Sequence, residues 1–336
     1  MTARTAMDCG GVSLATGHQG MRSRILRGAT VAGLSTALLL PTGTAAASQG
    51  GADRLDLEAQ AVAQLTRSTQ WEQQARIPLD FDTFHPQGMT LVGEHIFISS
   101  VEIIEPTQKH PAPVDGTDRT AGRGQGHVFV VTREGELVKD IELGEGDVYH
   151  PGGIDFDGES VWVPVAEYRP DSRSIVYSID PETFEVTEQF RYDDHVGGVV
   201  RDERTCRIHG VSWGSRDLFT WSRTGRIQDV VANESHMVDH QDCEYSGGVT
   251  QICTGVTNLA TPEGGTYELG GIALLDLKTD RVLHELPVQE FSTAGHSVTR
   301  NPVAFEAEGD TLRMFAAPDD GEEANGTELL VYAARP

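Results

Sequence analysis

The chain has 336 residues, 38% of them hydrophobic, and a formal net charge of −25 at pH 7. Acidity on that scale excludes the electrostatic attraction that nucleic acid and anionic membranes offer basic proteins. It suits a large globular domain and is compatible with cation binding, although a solvated acidic exterior gives the same charge.

Met21 opens a basic segment, Arg22-Ser23-Arg24-Ile25-Leu26-Arg27, followed by an apolar run from Thr30 to Leu40 and by Thr44-Ala45-Ala46-Ala47. This order reads as a secretory signal over residues 1–47, cleaved after Ala47, with Met21 as an alternative start. The apolar run is too short for a comfortable membrane span, so a secreted, extracellular protein without stable membrane insertion is expected. Residues 48–69 read as a tail or a short helix, with a weak apolar face of Leu57, Val62 and Leu65. A single domain is expected over residues 70–336.

That domain repeats one phrase, a polar lead residue followed by a short strand, a turn and a second strand. The leads are His85, His150, His195, His240 and Asn301. The second strands end at Glu102, Glu167, Trp213, Asn258 and Asp319. A period of roughly 40–50 residues with four short strands per unit marks a β-propeller. In the first unit Val128–Val131 and Leu137–Ile141 supply the third and fourth strands. In the second these are Ile175–Ser178 and Phe184–Val186. The last unit stops at its third strand, and the N-terminal stretch Trp71–Leu79 is expected to provide the missing outer one, giving five blades. Three residues past the leads lie Gly88, Gly153, Gly198, Cys243 and Ala304, all small, as crowding at a propeller axis requires. The insertion between Ile103 and Gln125 reads as a loop, serving as a lid over the site or as a disordered surface segment. Once residues 1–47 are removed, three cysteines remain. A Cys243–Cys253 bridge within one hairpin is expected, leaving Cys206 free; a bridge involving Cys206, or none, stays open.

In this architecture the lead residues and the second-strand ends converge on one face. Imidazoles and carboxylates from different blades then surround one funnel. The functional expectation is a site for a divalent metal (Ca, Zn, Mn or Fe) or a small molecule. Glu102, Glu167, Asn258 and Asp319 are its expected oxygen ligands. His150 and His240 are expected as catalytic base or further ligands. His85, His195, Asn301, His209 and His296 complete the expected ligand-binding set. The competing account is that the inner-strand imidazoles hydrogen-bond between blades and have no ligand.

The phrases His85-Pro86-Gln87-Gly88-Met89 and His150-Pro151-Gly152-Gly153-Ile154, with Trp162-Val163-Pro164-Val165-Ala166-Glu167, resemble an uncharacterised family of exported bacterial propellers. That family is a domain of unknown function and implies no activity. More distantly, the ring is similar to lactonase, paraoxonase and strictosidine-synthase-like propellers. That resemblance implies an axial calcium ion, with Glu167, Asn258 and Asp319 matching its ligands in type. The sequence reading is therefore a monomeric, secreted, all-β five-bladed propeller. Its axial site is expected to bind a small molecule or metal; whether it is an enzyme stays open, and if it is one, metal-dependent hydrolysis of an ester, lactone or phosphoester is the expected reaction. The alternative is a non-catalytic propeller that docks an extracellular protein or polymer.

Overall fold

The computed structural model describes residues 56–336, so the leader assigned to 1–47 lies outside the described residues. Five antiparallel sheets form the blades of a propeller. Blade I contains His85–Val92, His95–Glu105, Arg123–Thr132 and Leu137–Leu143. Blade II contains a split inner strand, Val148–Pro151 and Asp155–Phe156, then Val161–Glu167, Ser174–Ile179 and Val186–Tyr192. Blade III contains Gly198–Arg201, Ile208–Val211, Asp217–Trp221 and Ile227–Ala232. Blade IV contains Asp239–Tyr245, Thr250–Ala260, Thr266–Asp276 and Arg281–Val288. Blade V contains Val303–Glu308, Thr311–Ala316 and Glu328–Ala334. The strand Glu72–Pro78 pairs antiparallel with Glu328–Ala334, from Glu72 opposite Ala333 to Pro78 opposite Glu328.

Each blade is covered on both faces, so its middle strands read as nearly unbroken apolar runs. Val161 through Ala166 are all buried. Alternation still decides which neighbour a side chain meets. Phe97 enters the cluster between blades I and II, whereas Ile96 and Ile98 point into the cluster between blades V and I. Five such clusters occupy the five interfaces. The helix Leu57–Val62 contributes Ala59 and Val62 to the cluster between blades IV and V, joined by Leu65.

The axis is held by one carboxylate. Asp242, on the inner strand of blade IV, is 2% exposed. It accepts backbone N–H bonds from Met89 of blade I (2.7 Å), Ile154 of blade II (3.1 Å) and Val303 of blade V (3.3 Å). Blade III is tied in separately, by Gly153 N–H to Gly197 O (2.9 Å) and Val199 N–H to Gly153 O (3.2 Å). Burial pushes the Asp242 carboxyl well above its usual range, and the three amide bonds pull against that shift.

Four expectations need correction. The five-unit rule of small residues holds at Gly88, where an added Cβ would lie 2.6 Å from Ile154 N of blade II, and at Gly153, where it would meet Asp242 and Gln241 of blade IV across the axis. It fails at Cys243 and Ala304, which face interblade clusters. In blade V, which has no bulge, the axial amide is already that of Val303, one place before Ala304. In blade IV the reason is a bulge: pairing skips Gln241 there, as it skips Gln87 in blade I. Asp242 consequently takes the place of Gly88, and His240 that of Pro86. The fourth strand of blade II begins at Val186, because Phe184 sits in a turn with φ of 61°. The insertion is an ordered hairpin, Lys109–Val114 with Thr117–Arg119, and not a structureless loop. Finally, Cys243 and Cys253 are bridged across directly paired positions, but Cys206 is also disulfide-bonded.

Replacing Asp242 with Ala leaves three buried amides without their acceptor. That is expected to destabilise the fold by on the order of 3–5 kcal/mol, read as a lowered urea midpoint. Asp242→Asn, which keeps one acceptor oxygen, is expected to lose less.

Candidate functional site

Four of the five lead residues and two of the second-strand ends, Trp213 and Asn258, line a funnel on one face. Its cavity of about 260 Å³ is lined by His85, His150, His195 and His240, together with Gln87, Gln241, Tyr168, Trp213 and Asn258. Its floor is the crowded meeting of blades II and III, where a Cβ on Gly152 would collide with Gly197. A larger cleft of about 400 Å³ opens beside blade II, lined by Glu145, Arg173 and Arg191. Those charges already pair with protein partners, so that cleft offers fewer unmet polar groups.

His150 and His240 are 6% and 5% exposed, and neither ring nitrogen of either residue has a protein hydrogen-bond partner. His150 stacks on Tyr168 with ring centroids 4.1 Å apart and stands 6.0 Å from the ring of His195. His195 Nδ1 lies 2.9 Å from the Glu167 carbonyl, which can only accept, so Nδ1 carries the proton. Trp213 meets His195 edge to face at 4.8 Å. Gln241 donates its amide to Gln87 Oε1 at 2.8 Å, joining blades I and IV across the funnel. Burial lowers the pKa of His195 and of His240 to about 4, and that of His150 well below 6.5. These imidazoles are neutral at pH 7, each with one donor and one acceptor.

Of the other expected residues, His85 and Asn258 line the funnel and the rest are placed elsewhere. Glu167 is buried, but its two oxygens are taken by Arg169 Nε (2.6 Å) and Arg173 Nε (2.8 Å), so it is not an open ligand. Glu102 is half-buried at the root of the insertion and does not line the funnel. His209 faces blade IV, with Nδ1 3.2 Å from Thr220 Oγ1, and burial lowers its pKa to about 4. Asn301 donates to the Pro318 carbonyl (3.0 Å) and to Asp320 (3.1 Å), anchoring a turn. His85 joins the same turn through Nδ1 and Asp320 Oδ1 at 2.5 Å.

Asp319 and His296 form a second group at the rim, with Glu323. His296 Nδ1 donates to Glu268 (3.0 Å) and Nε2 to Glu323 (2.7 Å). Burial acts to lower the His296 pKa, but the two glutamates outweigh it and Arg300, and the net shift is upward. The implied calcium trio is thus dispersed: Asn258 lines the funnel, Glu167 is clamped by arginines and Asp319 stands with His296. Among the described residues, the clusters of three or more His, Cys, Asp or Glu with ligand atoms within 4.8 Å of one another are two. One is His296–Asp319–Glu323; the other, His240–Cys243–Cys253, contains the disulfide. The funnel imidazoles do not form such a cluster.

Sequence reasoning missed Tyr168, Gln87, Gln241 and Glu323. Tyr168 directly follows a second-strand end, which was a usable signal. The two glutamines were hidden by the bulges. The insertion also reaches the site: Arg169 Nη1 contacts Thr117 Oγ1 (3.4 Å) and the Arg119 carbonyl (3.3 Å). The Arg119 guanidinium lies 5.0 Å from the Trp213 ring.

A family model of unknown function, DUF6454, matches residues 52–335. The chain belongs to that family. No curated protein matches. Among solved structures, a tail fibre of Staphylococcus aureus phage P68 is similar over 80% of this chain and 53% of that one (8% identity, TM-score 0.44). A luciferin-regenerating enzyme is similar over 80% and 96% (11%, 0.43), and a DUF4221 member from Bacteroides vulgatus over 80% and 99% (10%, 0.37). These likenesses are too remote to carry an argument about activity. Among the described residues of this DUF6454 chain, no helix is long and apolar enough to cross a membrane.

A histidine buried neutral destabilises the fold on acidification. The unfolded chain takes up protons near pH 6.5, while folded His195 and His240 resist them until about pH 4. Their contribution is complete above pH 6.5 and is lost as pH falls towards 4. Melting curves of wild type and His240→Gln are expected to diverge in that window, with wild type losing stability more steeply.

Proposed function

We propose that this DUF6454 protein is an exported propeller that binds a compact, uncharged polar molecule in its axial funnel. Neutral His150, His195 and His240 supply donors and acceptors. The Gln87–Gln241 pair and Asn258 add amide contacts, and Tyr168 with Trp213 forms an aromatic wall. The observation that carries the reading is the pair His150 and His240. Four ring nitrogens are buried without a protein partner in one small cavity. Each unmet buried polar group costs about 1–3 kcal/mol, a cost that a ligand's own polar groups offset.

Recognition is favoured over hydrolysis by electrostatics. A general base works best with a pKa near the operating pH, and imidazoles depressed to about 4 are weak bases at neutrality. A metal ion inside the funnel is disfavoured by the spacing of its imidazoles. The acidic composition and the disulfide suit an exported protein.

The test is a panel of small sugars, nucleobases, lactones and phosphoesters, followed by tryptophan fluorescence and thermal shift. At least one compound is expected to raise the melting temperature, and His150→Ala or His240→Ala to weaken its binding tenfold or more. Unchanged binding in both variants sinks the assignment, and turnover of a lactone or phosphoester would replace recognition with catalysis.

A second reading, docking of a protein or polymer, draws on exposed apolar side chains at two projecting hairpins: Ile104 and Val114 in blade I, Leu259 and Tyr267 in blade IV. If it holds, removing residues 108–120 abolishes partner capture while small-molecule binding is unaffected.

A further inference from the structure

We propose that His296, Asp319 and Glu323 form a binding site for a divalent first-row metal ion, zinc or manganese, at the rim of the funnel. The site is separate from the small-molecule reading above and does not rest on it.

The geometry comes first. One ligand atom from each residue lies within 4.8 Å of the others. Metal–ligand bonds of about 2.0–2.2 Å bring such atoms within about 3.5 Å of one another, so a side-chain adjustment on the order of 1 Å closes the set. An imidazole with two carboxylates is a mixed nitrogen and oxygen set suited to zinc, manganese or iron and short of the six to eight oxygens calcium takes.

The second observation is unmet acceptor capacity in a buried place. Asp319 is 1% exposed, and only its Oδ1 has a hydrogen bond, from Ser292 Oγ at 2.5 Å. The buried Oε2 of Glu323 has none. Three carboxylates share one guanidinium, Arg300, which lies 3.0 Å from Asp320, 3.6 Å from Glu323 and 3.9 Å from Glu268, and the Asp319 carboxylate stands beside Glu323 and His296. A divalent ion supplies the missing positive charge.

The third is the outer support that metal ligands need. Glu268 Oε1 accepts from His296 Nδ1 and points Nε2 at Glu323, while Ser292 orients Asp319. The Nε2 proton now lies between His296 and Glu323, 2.7 Å apart. Metal binding replaces that proton and releases it to solvent. The ion-pair chain His296–Glu323–Arg300–Asp320–His85 then runs from the metal to the funnel wall.

The experiment titrates tag-free protein, stripped with chelator and dialysed, with zinc chloride, manganese chloride or calcium chloride by calorimetry. Plasma mass spectrometry then counts the ions retained. One equivalent of zinc or manganese per chain is expected, with affinity at least tenfold lower in His296→Ala and in Glu323→Gln. Calcium is expected to bind more weakly than either. Glu323→Gln is isosteric on a partly exposed turn, so it keeps the comparison sound if His296→Ala melts early. No uptake of zinc or manganese by wild type overturns the proposal, as does uptake unchanged in both variants. Uptake lost in His240→Ala and kept in Glu323→Gln also overturns it, because the ion would then sit in the funnel.

Discussion

Asp242 is the constraint on which the rest of the molecule depends. Propeller blades are independent sheets, and apolar clusters between them set packing without fixing how far each inner strand slides along the axis. One buried carboxylate with three amide donors from blades I, II and V fixes that slide. The cost is a charge taken out of water, visible as the upward push on its pKa. Because the acceptor is on the axis, an error in any one inner strand leaves an amide unmet at the most confined point of the fold.

The face above inherits this order. The inner strands start at defined heights, so residues two to four places before the axial contact arrive at one rim. That is why His85, His150, His195 and His240 meet although they are far apart in sequence. The same face separates two kinds of chemistry. Inside the funnel, burial strips charge from the imidazoles and leaves neutral donors and acceptors. At the rim, His296 lies among carboxylates and is drawn the other way.

Much of the fold was legible because a repeat of polar lead, strand, turn and strand states the same instruction five times. The paired cysteines and the closing position of Trp71–Leu79 followed from local spacing and from one missing strand. Register was not legible in blade IV. A single bulged residue, Gln241, shifts every following side chain, and nothing in the local composition distinguishes a bulge from a regular strand. The site was legible as a set of types and not as partners. Glu167 looks like an open ligand until Arg169 and Arg173, both on the turn that follows it, fold back onto it. His296 and Asp319 were visible, but Glu323, which joins them, sits in a turn outside the repeated phrase.

The pairing of Glu72–Pro78 with Glu328–Ala334 has a consequence in time. The outermost strand of blade V precedes the other strands of the propeller in the chain, and its partner follows them. No ladder between them exists until the blades that separate them have been made, and contacts of such sequence separation form late and slowly. During that interval blades I and V both present unclosed faces. A ring closed in this way cannot form before every blade between the two strands has been made.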